Sequence, residues 1–400
     1  MARVLLLLPT STYRATDFMR AATRLGVEVV VGSEERQAMA DDMGTRALVV
    51  PLSDTGAAVD AIAALHERAP LDAIVAVDDQ GVEVAAIAAE RLGLPHNPPT
   101  AVAATRDKSV MRDALARDHV PQPRFRVLQD VEQVTEVAGD VGYPCVLKPV
   151  GLSASRGVIR VDDPVSAVRA AERIRAIADG PLLVEEYLPG IEIAVEGLLR
   201  SEQQLEILAI FDKPDPLVGP YFEETIYVTP SRLPGDMQQR VAFLTWRATH
   251  AIGLTDGPVH AELRIDGNRV SVLEVAARSI GGLCARTLRF GAGIALEELI
   301  LRHALGLPID EIAREGAASG VMMLPIPSEG ILEAVRGIDA ARAIDGVTGV
   351  EITVPRGRRV VPLPEGDRYL GFLFARADTP EQVEAALRAG YAALDVELSS

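Results

Sequence analysis

The sequence predicts a protein of mixed α/β and α+β class, with a parallel sheet near the N-terminus and α+β units after it. Up to about residue 99, strand-like apolar runs alternate with helical runs, a pattern typical of βαβ units. After the proline-rich segment Pro95–Pro99, the pattern becomes that of antiparallel strands and separate helices. A single hydrophobic core seldom extends over as many as 400 residues. We therefore expect two or three domains.

The N-terminal part is expected to contain four strands and three main helices. The strands are predicted in RVLLLLP, GVEVVVGS, ALVVPL and DAIVAVDD, and the helices over Thr16–Leu25, Ala57–Glu67 and Val82–Leu92. Ligands usually bind where parallel strands end, which here means the loops Pro9–Tyr13 and Asp78–Gln80. The first loop lacks GxGxxG, and GxxxxGK[ST] occurs nowhere, so ordinary dinucleotide and P-loop sites are disfavoured.

Two lysines stand out in the next segment. Lys108 lies in the helical run Ala101–Asp118, where an ordinary solvated helix residue is the alternative interpretation. Lys148 lies inside the apolar strand CVLKPV, where a buried ammonium group needs an anion. Lys148 is therefore a candidate anion-binding residue.

The glycine- and serine-rich loop Gly151–Val158 follows Lys148 directly. Its small residues, among them Ser153, Ser155 and Gly157, suit a flexible hairpin that closes over phosphates with backbone N–H groups. An ordinary Gly/Ser turn is the alternative. The strands RFRVLQ and LLVEEYL and the helices Val131–Val141 and Pro164–Ala178 complete a compact α+β unit around this loop.

Consecutive acids end the apolar run LLVEEYL. Glu185 and Glu186 suggest a strand edge used for recognition, and a strand end that meets water is an equal alternative. The runs EIAVEGLL and LEILAIFDK predict antiparallel strands, PYFEETIYVTPS predicts a substrate loop and a strand, and Met237–Ile252 predicts a helix.

A β-hairpin is predicted around Glu262 and Glu274, with the turn signal Asp266-Gly267-Asn268 between them. Counted from Gly267, the two acids are cross-strand neighbours on one face. Paired carboxylates are costly to bury without a cation, and oxygen-only ligands favour magnesium or manganese. An exposed strand pair is the alternative. Arg278 follows, and then Gly281 and Gly282, a combination that suits an anion held by a guanidinium and backbone N–H groups.

The C-terminal part is predicted to be a small α+β lid domain. The spacing of leucines in GIALEELILRHALG predicts a core helix before it. Short strands follow in VMMLPIP, GVEITVP and YLGFLFARA, and a final helix is predicted over Pro380–Leu394 with Thr379 as its N-cap.

Composition excludes several classes of partner and site. A formal net charge of −17 argues against duplex nucleic acid and against an anionic membrane as partners. The apolar run VLLLL is too short for a signal peptide or a membrane span. The two cysteines, Cys145 and Cys284, form no CxxC or Cys/His cluster, which fits a reducing, cytoplasmic setting.

In their order and separations, these motifs resemble the ATP-grasp superfamily over nearly the whole chain. The segments DKPDPLVGPYFEETIYVTPS, HAELR and LEVAARSIGG are most similar to the L-amino acid ligases, which form dipeptides. The resemblance implies an N-terminal Rossmann-like, pre-ATP-grasp domain over 1–100 and an ATP-grasp core over 101–310. It also implies a lid subdomain over 124–188 within the core and a C-terminal domain over 311–400.

The resemblance further implies which residues bind ATP. They are Lys108, Lys148, Ser153, Ser155, Gly157, Glu185, Glu186, Leu188 and Glu192. The lysines would hold the phosphates, the strand-end acids and Leu188 would form the adenine hinge, and Glu192 would bind the ribose.

Metal and substrate residues are implied in the same way. Glu262 and Glu274 resemble the magnesium ligands, and Arg278 resembles the arginine that stabilises the acyl phosphate and the tetrahedral intermediate. Glu224 resembles an acid that receives the substrate's amino group. The residues implied to bind the substrate are Glu224, Tyr227, Arg278, Gly281 and Gly282.

The sequence departs from the family pattern at three positions. Ala276 stands where most members carry a metal-binding asparagine, so either fewer protein ligands hold the second metal or water replaces the amide. Tyr227 and Gly282 stand where some of these ligases carry histidine and tryptophan. A glycine at position 282 would leave room for a larger second substrate.

The implied function is ATP-dependent ligation of an amino acid carboxylate to an amine through an acyl phosphate, with ATP and Mg²⁺ (or Mn²⁺) as cofactors. The expected partners are small-molecule substrates, and the oligomeric state stays open, with a homodimer among the alternatives. Two other functions stay open. One is an ATP-grasp ligase or carboxylase acting on bicarbonate or a phosphoribosyl purine precursor. The other is a non-catalytic ATP-binding relative, with Ala276 as its signature.

Overall fold

The computed structural model describes residues 1–10, 12–37, 40–202, 204–291, 293–309 and 312–399. Two expectations fall partly outside these residues. Ser11, in the predicted ligand loop Pro9–Tyr13, is one of the residues not described, and the predicted domain boundary between 310 and 311 also lies outside.

The N-terminal part is a parallel four-stranded sheet with helices packed on it, as predicted. Its elements are β1 (Arg3–Leu7), α1 (Ala15–Leu25), β2 (Glu28–Ser33), α2 (Ala40–Met43), β3 (Ala47–Val49), α3 (Thr55–Arg68), β4 (Ala73–Ala76) and α4 (Val82–Leu92). The strand order is β3-β2-β1-β4, and all three pairings are parallel. Residues 4–7 of β1 are fully buried, because helices cover both faces of this sheet.

Two helices occupy the run that was predicted as one helix over Ala101–Asp118. They are α5 (Pro99–Arg106) and α6 (Lys108–Arg117). Asp107 separates them with an extended backbone, and its carboxylate accepts the N–H groups of Ser109 and Val110 at 2.8 and 3.2 Å. This N-cap starts a new helix at Lys108, so the prediction of one continuous helix was wrong.

The lid-like α+β unit contains four strands and two helices. They are β5 (Phe125–Leu128), α7 (Val134–Val141), β6 (Cys145–Pro149), β7 (Ile159–Val161), α8 (Pro164–Arg175) and β8 (Leu182–Glu186). The strands pair in an antiparallel sheet of order β5-β8-β6-β7. This places Lys148 of β6 beside Glu185 of β8 across the centre of the sheet.

The middle of the chain supplies the strands and helices that carry the predicted acids. These elements are β9 (Ile191–Ser201), β10 (Gln204–Lys213), β11 (Ile226–Thr229), α9 (Gly235–Ile252), β12 (Gly257–Asp266), β13 (Arg269–Ala276), β14 (Arg289–Phe290), β15 (Ile294–Ala295) and α10 (Leu296–Ala304). The predicted hairpin is confirmed, since β12 and β13 are antiparallel and joined by the two-residue turn Gly267-Asn268.

The C-terminal part continues the same sheet. Its elements are β16 (Ala318–Leu324), β17 (Gly330–Arg336), α11 (Ile338–Arg342), β18 (Val347–Ile352), β19 (Arg359–Val360), β20 (Gly371–Ala377), α12 (Pro380–Ala392) and β21 (Asp395–Ser399). Strands β16, β20 and β18 extend an eight-stranded sheet of order β13-β12-β9-β10-β11-β16-β20-β18, and β19-β17-β21 form a separate sheet. The large sheet thus runs across the predicted 310/311 boundary, and the proposed division into domains stays a prediction.

The final helix begins as predicted. The Thr379 hydroxyl accepts the N–H of Gln382 at 3.3 Å, and the Gln382 side chain accepts the N–H of Thr379, which completes a capping box. Among the helices of the described ranges, none combines the length and the apolar character that crossing a membrane requires.

Candidate active site

A cleft with a volume of about 280 Å³ lies where the parallel sheet, the lid-like unit and the eight-stranded sheet meet. It gathers nearly all of the predicted site residues. Those that line it are Lys108, Lys148, Ser153, Ser155, Glu185, Glu186, Leu188, Glu192, Glu224, Tyr227, Glu262, Glu274, Arg278, Gly281 and Gly282. Residues from separate parts of the chain therefore form one site.

Gly157 is the predicted residue that does not line this cleft. Its N–H donates to the carbonyl of Pro364 at 3.0 Å, and a Cβ added at this position would lie 3.0 Å from the Pro149 ring. Gly157 is needed for its positive φ of 70° and for close packing under the loop. Its N–H is already used by Pro364 in this structure, and its predicted ATP contact stays a prediction.

Glu262 and Glu274 are directly opposite one another in the hairpin, as predicted. Their side chains are 21% and 28% exposed, and both line the cleft. Each acid has its own cation. Lys108 Nζ lies 3.3 Å from Glu274, and Lys213 Nζ lies 3.1 Å from Glu262. Two lysines from other elements thus neutralise the pair, and the metal predicted there stays a prediction.

Lys213 is a functional candidate that the sequence analysis missed. It ends β10, and its buried ammonium group donates to Glu192 at 2.7 Å, to Glu262 at 3.1 Å and to Glu224. Burial lowers the pKa of Lys213, but the three carboxylates outweigh burial and hold the pKa well above its usual value. The signal was present, because this lysine ends the apolar run LEILAIFDK much as Lys148 interrupts CVLKPV.

The three acids around Lys213 form the tightest carboxylate cluster of the described residues. One oxygen each of Glu192, Glu224 and Glu262 lies within 4.8 Å of the others. Glu192 also pairs with Arg264 at 3.0 Å, so both of its oxygens contact cations. A metal placed among these three acids would compete with Lys213, whereas the predicted pair includes Glu274, which lies outside the cluster.

Glu224 was expected to receive the amino group of a substrate. In the structure, one of its oxygens accepts from Lys213, and the other accepts from the Tyr227 hydroxyl at 2.9 Å. Burial and the neighbouring Glu262 raise the pKa of Glu224 to about 7. Both oxygens therefore have donors within the protein, and the substrate role of Glu224 stays a prediction.

Glu185 was expected to contribute to an adenine hinge. Its carboxylate lies instead between Lys148, at 2.6 Å, and Arg112, and all three side chains are buried. Burial raises the pKa of Glu185, but the two cations more than offset this and lower it to about 2. The Glu185 side chain is thus used to hold Lys148, which leaves the backbone and Leu188 for any hinge contact. Arg112, on α6, was not recognised from the sequence.

Arg278 is fixed by the N-terminal part of the chain. Its guanidinium donates to Asp79 at 2.8 Å and to the carbonyl of Ser279 at 3.0 Å. Asp79 also pairs with Arg106 at 3.3 Å. Burial raises the pKa of Asp79, but the two arginines hold it well below its usual range. The predicted strand-end loop thus reaches the predicted catalytic arginine.

A second buried pair joins the hairpin to the segment after Arg278. His260 Nδ1 lies 2.6 Å from Glu196, and the same carboxylate oxygen accepts the N–H of Ile280 at 2.9 Å. Burial lowers the pKa of His260, but hydrogen bonds to Glu196 and Glu262 outweigh it and raise the pKa to about 9. The contact keeps the Arg278 segment in register with the acids, and no local sequence pattern predicted it.

Three protein-family models match the chain. They describe an ATP-grasp domain over residues 141–287, an ATP-grasp N-terminal domain over residues 19–96 and an L-amino acid ligase C-terminal domain 2 over residues 322–399. The chain is an ATP-grasp protein. The predicted superfamily and fold class are confirmed.

Named relatives and solved structures agree with this assignment. The chain is 27% identical to alanine–anticapsin ligase of Bacillus subtilis over 267 residues. The alignment covers 61% of this chain and 56% of that protein. It is 28% identical to a formate-dependent phosphoribosylglycinamide formyltransferase of Synechococcus sp. over 386 residues. This alignment covers 91% of this chain and 93% of that protein. A crystal structure of an L-amino acid ligase from Bacillus licheniformis aligns over 100% of this chain and 99% of that chain, with a TM-score of 0.82 and 24% identity.

Gly282 was expected to leave room for a larger substrate in this ATP-grasp cleft. A Cβ at position 282 would lie 2.8 Å from the ring of Phe372, a buried residue of β20. The φ of Gly282 is +58°, which side chains rarely adopt. Phe372 thus fills the space beside Gly282, and the expectation was wrong at this position.

A comparison of neighbouring glycines tests this correction. Gly282→Ala is expected to lower the free energy of unfolding by about 2 kcal/mol or more, because it adds backbone strain and a contact with Phe372. Gly281→Ala is the matched control, since its Cβ would meet nothing within 4 Å, and its effect should stay within about 0.5 kcal/mol. Urea unfolding followed by circular dichroism measures both. Equal effects of the two substitutions would contradict the close approach to Phe372.

The Glu185 contact predicts a pH dependence of stability. The pKa is about 2 in the folded protein against an ordinary 4.5, so the stabilisation is complete above about pH 4.5 and is lost as the pH falls toward 2. When the pH falls from about 6 to about 3.5, the decrease in the free energy of unfolding should be roughly 1 kcal/mol smaller for Glu185→Gln than for the wild type. At about pH 6 the variant itself should be less stable by about 3 kcal/mol, since two buried cations lose their partner.

Urea unfolding at the two pH values checks this, with Glu186→Gln as the control. Glu186 is on the same strand but pairs with the exposed Arg124 at 3.2 Å. The control should keep the pH dependence of the wild type. An unchanged pH dependence in Glu185→Gln would show that its carboxylate is not the anion that holds Lys148 and Arg112.

Proposed function

We propose that this ATP-grasp protein is an ATP-dependent, ADP-forming ligase that joins the carboxylate of an amino acid to an amine through an acyl phosphate. One observation carries the proposal. The fixed cations Lys108, Lys148 and Arg278 meet the paired acids Glu262 and Glu274 in a single cleft. Such a combination suits the transfer of a phosphoryl group, which requires positioning and fixed charge more than covalent participation of the protein.

The proposed reaction has two steps. A carboxylate oxygen of the first substrate attacks the γ-phosphorus of ATP, the bond from this phosphorus to the bridging oxygen breaks, and ADP leaves. The nitrogen of the amine then attacks the carbonyl carbon, the bond from this carbon to the phosphate oxygen breaks, and phosphate leaves. The nitrogen loses a proton, and the product is an amide.

The cations would bind different groups of the substrates in this scheme. Lys148 is held by Glu185, and Lys108 by Glu274 and by the carbonyl of Leu152 at 2.6 Å, so both ammonium groups are positioned before a nucleotide binds. Arg278 is fixed by Asp79 near the C-terminal end of the hairpin. Because the lysines and the arginine come from different walls, the phosphates would bind near the lysines and the new acyl group near Arg278.

Glu262 and Glu274 fit a magnesium ion by their chemistry. They offer oxygen donors, stand opposite one another and are partly exposed to the cleft. Bound magnesium would neutralise the charge that develops on the phosphates. The Ala276 side chain offers no metal ligand. Near Glu262, additional positive charge comes from Lys213.

Exclusion of water would protect the acyl phosphate from hydrolysis. The glycine-rich loop already contacts the C-terminal part of the chain, since Gly157 N–H donates to Pro364 and the Arg156 guanidinium donates to the carbonyl of Glu365 at 3.2 Å. Arg173, on α8, also pairs with the Glu365 carboxylate. These contacts would hold the lid-like unit over the cleft during the reaction.

The L-amino acid ligase assignment is supported by the C-terminal family model and by the likeness to the Bacillus licheniformis fold. The formyltransferase relative supports a second candidate, ligation on a phosphoribosyl amine, since it covers 91% of this chain. A ribose phosphate would need basic residues in addition to those proposed for ATP. The strand-end loops Pro9–Tyr13 and Asp78–Gln80 contain no lysine or arginine, which favours the first candidate.

The release of ADP tests the proposal. Purified protein with ATP and magnesium should release ADP only when a mixture of the twenty amino acids is present, and mass spectrometry should show one amide product. Bicarbonate or glycinamide ribonucleotide as the only stimulant would favour the second candidate. No stimulation by any of these would contradict a ligase.

A substitution in the hairpin tests the acids. Glu274→Ala should reduce ADP release by about 10² or more, because the phosphates lose a metal ligand and Lys108 loses its partner. Asp266→Ala is the matched control, since it removes an exposed acid at the far end of the same hairpin, and it should retain wild-type release. Wild-type turnover in Glu274→Ala with an intact circular dichroism spectrum would remove the metal assignment.

A further inference from the structure

Asp78 differs from the other acids that line the cleft. Its side chain makes no hydrogen bond or ion pair with any residue that the structure describes. It precedes the short 3₁₀ turn Asp79–Gly81, where an aspartate usually caps the helix, yet its carboxylate caps nothing. Asp78 nevertheless lines the cleft and is only partly exposed. It thus presents a carboxylate that the protein itself does not use.

The remaining acids of the cleft are all occupied by donors. Their partners are Arg278 and Arg106 for Asp79, Lys148 and Arg112 for Glu185, Arg124 for Glu186, Lys213 and Arg264 for Glu192, Lys213 and Tyr227 for Glu224, Lys213 and His260 for Glu262, and Lys108 for Glu274. Each of these acids is thus already paired with at least one donor of the protein, whereas Asp78 has none among the described residues.

The position of Asp78 relative to Arg278 is the second observation. Asp78 adjoins Asp79, whose carboxylate holds the Arg278 guanidinium at 2.8 Å. Burial lowers the pKa of Arg278, but the negative charges of Asp79 and then of Asp78 outweigh burial and raise it. Gly281, Gly282 and Tyr369 belong to the lining of the same cleft. A group bound at Asp78 would therefore lie on the Arg278 side of the cleft.

We propose that Asp78 binds the ammonium group of the acceptor amine and takes its proton as the amine attacks the acyl phosphate. This rests on the proposed ligase function. The attacking amine is charged at neutral pH and has no lone pair until it loses a proton, so a carboxylate at this place both attracts it and accepts the proton. The first proton passes from the ammonium group to Asp78 and then to water, which frees the lone pair. The N–C bond then forms, the C–O bond to phosphate breaks, and the second proton leaves the nitrogen with the released phosphate.

The two substrates would thus bind to different groups of the cleft. The carboxylate donor meets fixed cations, and the amine meets the one unpartnered carboxylate described along the cleft wall. Since Asp78 belongs to the N-terminal part of the chain, the acceptor site is built by the loop after β4. Substitutions in this loop should then change which amines are accepted, while the choice of the carboxylate donor is left unchanged.

Hydroxylamine distinguishes this role from a structural one. It is uncharged at about pH 7.5 and attacks acyl phosphates without first losing a proton. Wild-type protein is supplied with ATP, magnesium and the twenty amino acids, with or without hydroxylamine, and both amide and hydroxamate are measured. Asp78→Asn should lower amide formation by about 10² or more, the usual contribution of a general base, while hydroxamate formation stays within about threefold.

Three other results would overturn the proposal. Equal losses of amide and hydroxamate in Asp78→Asn would show that the residue acts on the first step or on folding, and unchanged amide formation would show that it has no role. Wild-type protein that forms neither product would refute the ligase function itself, and this inference with it. The control is Asp60→Asn, which changes an aspartate that is 73% exposed on α3 and does not line the cleft, and the yields of both products should match the wild type.

Discussion

The cleft depends on one electrostatic constraint, that acids brought together in a partly dry site must be neutralised. Lys213 meets it by placing a single ammonium group against Glu192, Glu224 and Glu262. Without this lysine, three carboxylates within 4.8 Å would repel one another and lose their hydration. Removal of one member of such a buried network typically costs about 3–5 kcal/mol. The lysine therefore holds these acids together beside the proposed phosphate site, and Glu224, whose pKa burial and Glu262 raise to about 7, is the acid that protonates most readily.

The same principle operates on every wall of the cleft. Glu185 lies between Lys148 and Arg112, Asp79 holds Arg278, and Lys108 pairs with Glu274. These ion pairs connect the parallel sheet, the lid-like unit and the eight-stranded sheet, so the parts of the molecule are joined by the residues that would do the chemistry. Each cation is held in place before substrate arrives, which reduces the reorganisation that the reaction requires.

Local patterns were enough to predict the elements and one important contact. The distance of Glu262 and Glu274 from the Gly267 turn fixed their register, and Thr379 fixed the start of the last helix, because hairpin pairing and helix capping are short-range effects. The split of the helix at Asp107 was missed, although an aspartate within a helical run is a capping signal.

Contacts between distant parts of the chain could not be predicted in this way. Lys213 reaches acids from three other segments, and Phe372 approaches Gly282 from a strand ninety positions later. The pairing of lysines with acids depends on the order of strands in the sheet. The local sequence of β10 does not specify that order. The family resemblance predicted which residues form the site, whereas only the structure showed which cation pairs with which acid.

The proposed chemistry requires that the cleft activate a carboxylate by phosphorylation. The most direct test uses amino acids labelled with ¹⁸O in the carboxylate, together with ATP and magnesium, and measures the mass of the released phosphate. Formation of an acyl phosphate followed by attack of an amine at carbon transfers one labelled oxygen to each phosphate, and this is the predicted result. Unlabelled phosphate released during turnover would mean that water attacks ATP directly, and it would contradict the account.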